Sequence, residues 1–132
     1  MKFVLEHSLS PRLSNALAAL EGEDGEEVEH LRDRNIPQET LDEVWLPRLA
    51  RDAPDCIVIT ADPRITRGAH ERAAWLEAGL TTVFLRSFAD LPFDEQAARL
   101  VRWWPEIRRR AKRAKRGAGL VVSVNGRIEE LE

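Results

Sequence analysis

Apolar residues fall into short unbroken runs, separated by stretches whose apolar positions recur with helical spacing. Residues 2–5 (KFVL), 56–61 (CIVITA) and 81–85 (TTVFL) are rich in β-branched and aromatic side chains and lack polar alternation. Such runs suit strands buried on both faces of a parallel sheet. A shorter strand is expected around residues 28–31. After the first strand, Ser10 is a good N-cap and Pro11 sits at N1, where its missing N–H costs nothing. Leu13, Ala16, Leu17 and Leu20 then form the expected buried stripe of a helix.

Thr40-Leu41-Asp42-Glu43 reads as a capping box opening a second helix. Pro47 falls within its first two turns, so that helix either kinks or starts later than Thr40. A third helix is expected over 69–78, with Gly79 as its C′ residue. Asp94 can cap a fourth, in which Ala97, Leu100, Val101 and Trp104 keep i, i+3, i+4, i+7 spacing. Pro105 is expected to interrupt it before a basic helix continues to about residue 116. The tail predicts a hairpin over 120–131, because Asn125-Gly126 suits a type I′ turn. Alternating strands and helices predict an α/β fold with a mainly parallel central sheet and a C-terminal β-hairpin. The 132 residues show no repeat or linker, and one domain over 1–132 is expected.

Composition narrows the setting. With 43% apolar and 33% charged residues the chain has the balance of a soluble globular protein. Its one cysteine, Cys56, lies in a predicted strand, so neither a disulfide framework nor a zinc quartet can form within one chain. No apolar run approaches the ~20 residues that span a bilayer. The sequence enters a strand at once, leaving no room for a signal peptide, and the cytoplasm is the expected compartment. The net charge of −3 hides an asymmetry: residues 1–56 carry 6 basic and 13 acidic side chains, residues 57–132 carry 14 and 10. Most of the basic excess lies at 102–116, which suggests a polyanion or an acidic partner. The acidic stretch 21–29 reads as a solvated turn.

Two strands run directly into an acid, Glu6 after the first and Asp62 after the run at 56–61. Ligand crevices of open α/β sheets lie beyond the carboxyl ends of the strands. Glu6, Asp62 and the helix-start pair Asp42 and Glu43 would therefore converge if those element ends meet. Oxygen donors without histidine suit Mg²⁺ or Mn²⁺, and such an ion can activate water against a phosphodiester. The plain alternative is that Asp62-Pro63 is turn chemistry and Glu43 only caps the helix.

The stretches Phe3 to Leu9, Leu41 to Pro47 and Val58 to Ile65 occur in the order seen in PIN-like domains. The chain resembles the short toxin-type branch related to VapC ribonucleases, and its Trp-Trp-Pro segment, basic helix and final hairpin fit that branch too. The resemblance implies a PIN-like three-layer fold and a Mg²⁺- or Mn²⁺-dependent endoribonuclease. It also implies a toxin restrained by a cognate antitoxin. It assigns Glu6, Asp42 and Asp62 as catalytic and metal-binding residues, with Glu43 as a further metal ligand. Glu6 stands where the family has an Asp, one methylene shorter, a difference of over ~1 Å. Pro63 and Arg64 stand where many PIN domains carry another acid. Those departures favour the alternative of a weakened PIN-like module that binds RNA or protein without cutting. A phosphoacceptor receiver fits poorly, since the acid pair after its first strand and its late lysine are missing.

RNA, the antitoxin and a second copy of the chain are the candidate partners, and no membrane is expected. Arg108, Arg109, Arg110, Lys112 and Arg113 are the expected RNA contacts, by salt-dependent attraction to phosphate; an acidic antitoxin or a solvated face are the other readings of that run. Trp103 and Trp104 could stack on bases, but the spacing of Trp104 places it in the core. His7 is expected to be an exposed loop histidine. His7, His30 and His70 show no ligand spacing, and Glu71 would at most support the site from outside.

Overall fold

A computed structural model describes residues 1–64 and 69–131, with the backbone alone for 69–71. The elements are β1 (Lys2–Leu5), α1 (Pro11–Glu21), β2 (Glu27–His30) and a 3₁₀ turn (Leu31–Arg34), then α2 (Asp42–Asp52) and β3 (Ile57–Thr60). After them come α3 (Ala69–Ala78), β4 (Thr81–Leu85), α4 (Phe93–Arg113), β5 (Gly119–Val122) and β6 (Ile128–Leu131). The six strands form one sheet in the order β2-β1-β3-β4-β5-β6, parallel except for the antiparallel pair β5–β6.

Each central strand feeds two cores, because successive side chains point to opposite faces. Phe3, Leu5, Ile57 and Ile59 pack against Leu13 and Leu17 of α1 and Leu100, Trp104 and Ile107 of α4. Val4, Val58 and Phe84 pack on the other face against Trp45, Leu46 and Leu49 of α2 and Trp75 of α3. This is the expected α/β three-layer arrangement, with the sheet buried on both sides. The chain adds β2 on one side of β1 and then returns to add β3 on the other. The boundary between β1 and β3 is therefore the topological switch point, where such sheets open a crevice.

Several local expectations differ in the structure. Ser10 caps α1 as expected, its hydroxyl accepting from Arg12 N–H at 3.1 Å. Leu20, however, is exposed, and Ser14 takes a buried place by donating to Pro11 O at 2.7 Å. Thr40 forms no capping box. Helix α2 starts at Asp42 with Leu41 at the N-cap and holds Pro47 in its interior, so the later start is the alternative realised. A cap forms instead on the 3₁₀ turn, where His30 N–H donates to Asp33 Oδ2 at 3.0 Å and the His30 ring accepts from the turn's backbone at Arg32 N–H. Pro105 does not interrupt α4, which runs unbroken through residue 113. The buried stripe Leu100, Trp104, Ile107 and Ala111 continues across the proline and offsets the one missing hydrogen bond. Gly79 ends α3 with φ 68°, the left-handed conformation a C′ glycine supplies.

The hairpin forms, but not through a type I′ turn, which needs positive φ at both central residues. Asn125 is not left-handed, whereas Gly126 has φ 87°. Gly126 N–H donates to Ser123 O at 2.9 Å, and Ser123 N–H donates to Arg127 O at 2.8 Å. This is a tight turn followed by a left-handed glycine. A Cβ on Gly126 would stand 2.5 Å from Trp103 Nε1, so the indole fills the space a side chain would need. Gly126→Ala should therefore cost about 1–3 kcal/mol, through strained backbone and overlap with Trp103. Urea denaturation of the variant against the wild type measures it, and an unchanged midpoint would refute the close packing of loop on helix.

Candidate functional site

Glu6 is 7% exposed and stands at the switch point, where β1 leaves the sheet. Its backbone N–H donates to Ile59 O at 3.0 Å, carrying the β1–β3 ladder one step past the strand. Its Oε1 accepts from Ser8 N–H at 2.9 Å, from Thr60 Oγ1 at 2.7 Å and from Ser8 Oγ. The same two hydroxyls accept from β3's outgoing backbone: Ser8 Oγ from Ala61 N–H at 2.9 Å, Thr60 Oγ1 from Asp62 N–H at 3.1 Å. Ser8 and Thr60 thus join the ends of β1 and β3 and fix the carboxylate of Glu6. Glu6 Oε2 has no hydrogen bond among the described residues and is not sealed from solvent.

Asp62 follows β3 at the same edge. Arg64 grips it in a bidentate pair, Nη2 to Oδ2 at 2.6 Å and Nε to both oxygens at 3.1 Å, and adds its backbone N–H to Oδ1 at 3.0 Å. Burial opposes ionisation of Asp62 most strongly, but the hydrogen bonds and charge of Arg64 together outweigh it and hold the carboxyl below its ordinary value. The Arg64 side chain remains 71% exposed.

Asp42, the first residue of α2, points between two indoles. Trp45 Nε1 donates to its Oδ1 at 2.9 Å and Trp75 Nε1 to its Oδ2 at 3.4 Å, tying α2 to α3. With Glu43, Asp42 lines a cleft of about 290 Å³ that also takes in Arg64. Arg64 therefore bridges Asp62 and the cleft of Asp42. Among the described residues, no three His, Cys, Asp or Glu side chains are grouped so as to hold a metal ion. The site brings Glu6 and Asp62 to one sheet edge, with Asp42 and Glu43 in the neighbouring cleft. The side chains of His70 and Glu71, and Ile65, lie outside the described residues.

The remaining candidates are distributed differently. The 21 residues of α4 cover about 30 Å at ~1.5 Å each, and its basic end reaches the opposite edge of the sheet. There Arg108 pairs with Glu21, Lys112 with Glu26, Arg109 with Glu106 at 2.5 Å and Arg116 with Asp55 at 3.6 Å. Glu21 is only 4% exposed and also accepts from Trp104 Nε1 at 3.3 Å, so part of the acidic stretch is a built ion-pair partner, not a solvated turn. Lys112 and the N-terminal amine hold Glu26 below its ordinary pKa. Trp104 is core, as its spacing indicates. The Cys56 thiol is buried and pushed up to about 11.

Ser8 and Thr60 escaped sequence reasoning. The signal available was a hydroxyl two positions after one strand-end acid and another two positions before the next.

His7 is half-buried rather than exposed, its Nε2 donating to Ile36 O at 2.7 Å, with its ring 5.1 Å from that of His30. His30 is buried in the neutral form, Nε2 donating to Leu9 O at 2.7 Å and Nδ1 accepting from Arg32 N–H at 3.0 Å. Burial lowers its pKa from the ordinary 6.5. As pH falls through about 6.5 the unfolded chain gains a proton that the folded chain refuses, so stability drops between 6.5 and the lower folded pKa. The expected slope is at most ~1.4 kcal/mol per pH unit. Denaturant midpoints at pH 7.5 and 5.5 should fall for the wild type and less for His30→Gln; equal pH dependence would refute the neutral lock.

Residues 1–87 match the family model of the PIN-like domain, and the chain belongs to that family. No curated protein and no solved structure matches the chain. The matched segment holds β1 to β4 and every strand-end acid described above. PIN-like domains are nuclease-type folds that bind nucleic acid. Among the described residues, no helix is long and apolar enough to cross a membrane.

Proposed function

We propose that this protein is a metal-dependent endoribonuclease, the toxin of a bacterial toxin–antitoxin pair acting in the cytoplasm. The reading rests above all on Glu6 and Asp62 following neighbouring parallel strands at one edge of the sheet, with Oε2 of Glu6 open and its other oxygen held by Ser8 and Thr60. Mg²⁺ and Mn²⁺ suit this donor set, because such ions keep several waters and need only one or two carboxylates beside a substrate phosphate. Glu6 and Asp62 would hold the ion, with Asp42 and Glu43 adding negative charge from the next cleft. When bound, it supplies polarisation of a phosphoryl oxygen and a more acidic water.

The chain's own residues supply orientation. Ser8 and Thr60 keep Glu6 from rotating, and the β1–β3 ladder fixes its spacing from Asp62. Arg64 balances the charge of Asp62, and the fork of a guanidinium is a shape that matches phosphate. The charge of Arg108, Arg109, Arg110, Lys112 and Arg113 draws RNA, or an acidic antitoxin, from a distance.

The Arg64–Asp62 pair is also the observation that favours a second reading, a PIN-like module that binds RNA without cutting. Cleavage of a labelled RNA with Mg²⁺ or Mn²⁺ separates the two. On the first reading the wild type cuts, Asp62→Asn loses at least ~100-fold, and Glu6→Asp loses activity because the carboxylate withdraws by ~1 Å. Arg64→Gln should tighten Mn²⁺ binding, read by electron paramagnetic resonance. A wild type that binds RNA and cuts with neither ion establishes the second reading.

A further inference from the structure

We propose that the RNA strand leaves the Glu6–Asp62 edge along a groove formed by the ends of β4 and β5, gripped by Arg86 and Arg127, rather than along α4. This inference rests on RNA being the substrate. A cleft of about 530 Å³ opens beyond β3 and β4, with Asp62 on one side and Arg86 on the other. A second, of about 220 Å³, lies between Arg86 and the hairpin loop that carries Arg127. Arg86 and Val121 line both, so the two form one path from Asp62 to the hairpin. The path crosses the ends of β3, β4 and β5, neighbours at ~4.8 Å, which puts its length near 10 Å.

Both guanidiniums are exposed, and neither has a hydrogen-bond or ion-pair partner among the described residues. A guanidinium fork matches phosphate in two parallel hydrogen bonds. The groove walls are held in place before any ligand arrives. Arg86 N–H donates to Val122 O at 2.9 Å, and Ser87 beside it keeps a left-handed φ of 56°, a conformation that non-glycine residues adopt at a cost. The hairpin loop rests on Trp103 through Gly126 and on Arg99, whose Nη1 donates to Val124 O at 2.9 Å. Asp90 and Glu129 also line the path, so its pull on phosphate comes from two placed contacts and not from a broad positive field. The basic end of α4 lies at the far edge of the sheet, and Arg108, Arg109 and Lys112, with Arg116 just beyond the helix, are already paired, which leaves Arg110 and Arg113 without an ion-pair partner among the described residues.

The test is binding of a fluorescein-labelled single-stranded RNA to the full chain in EDTA, followed by anisotropy over a salt series. Arg86→Ala with Arg127→Ala should weaken binding about tenfold or more at low salt and reduce the salt slope by ~1.4, two phosphate contacts at ~0.7 each. Arg109→Ala with Arg113→Ala should have the smaller effect on both. Thermal melts of each pair establish that the variants are folded. Wild-type binding with unchanged affinity and slope in the Arg86/Arg127 pair overturns the groove and leaves the ribonuclease reading standing. A larger loss in the α4 pair overturns it likewise. A wild type with no affinity for RNA, and no cleavage with Mn²⁺, overturns the reading and the groove together.

Discussion

Burial of the central strands on both faces is the constraint on which the rest of this structure depends. Phe3, Val4, Leu5, Val58, Ile59 and Thr60 are sealed from water between two helical layers. A charge inside such a strand would face desolvation with no partner, so charge can first appear where the strand leaves the sheet. Glu6 and Asp62 stand at those points. The parallel order of β1 and β3 then sets the two exits side by side, and the crossover that places β2 on the far side of β1 leaves open space above them.

Each carboxylate at this edge is compensated in its own way. Two hydroxyls and a backbone N–H take one oxygen of Glu6, a guanidinium takes Asp62, and two indoles share Asp42. Glu6, though buried, keeps its second oxygen free of hydrogen bonds among the described residues. Asp42 holds helices together: its two indole partners, Trp45 and Trp75, meet edge to face at 5.5 Å in the core beneath it. The strain of a left-handed Ser87 and the unpaired Arg86 lie on the same edge, after β4. Conformational cost and an unpaired cation thus lie at the strand exits, while four ion pairs lie toward the opposite edge.

The charge asymmetry of the chain is in large part internal. Glu21 and Glu26 from the acidic half meet Arg108 and Lys112 from the basic half. Most of these pairs are partly exposed and contribute little each to stability. Their main effect is to dock the α1–β2 turn onto α4 and to lower the field that the basic helix presents.

What the sequence determined by itself was everything carried by local pattern. The strands, the helices, the two-sided burial, the core place of Trp104 and the acids at the strand exits follow from side-chain periodicity and the polarity of neighbours a few residues away. The tertiary structure alone decided what joins residues far apart in the chain. Thr60 reaches Glu6 across 54 positions and Arg108 reaches Glu21 across 87. Arg64 turns back on Asp62 only because the chain bends after β3, and Trp103 selects the hairpin turn by filling the space over Gly126. Pro105 stays helical because a continuous buried stripe outweighs one lost hydrogen bond. In each case the deciding energy comes from contacts set by strand order and helix packing, which no local window of sequence contains.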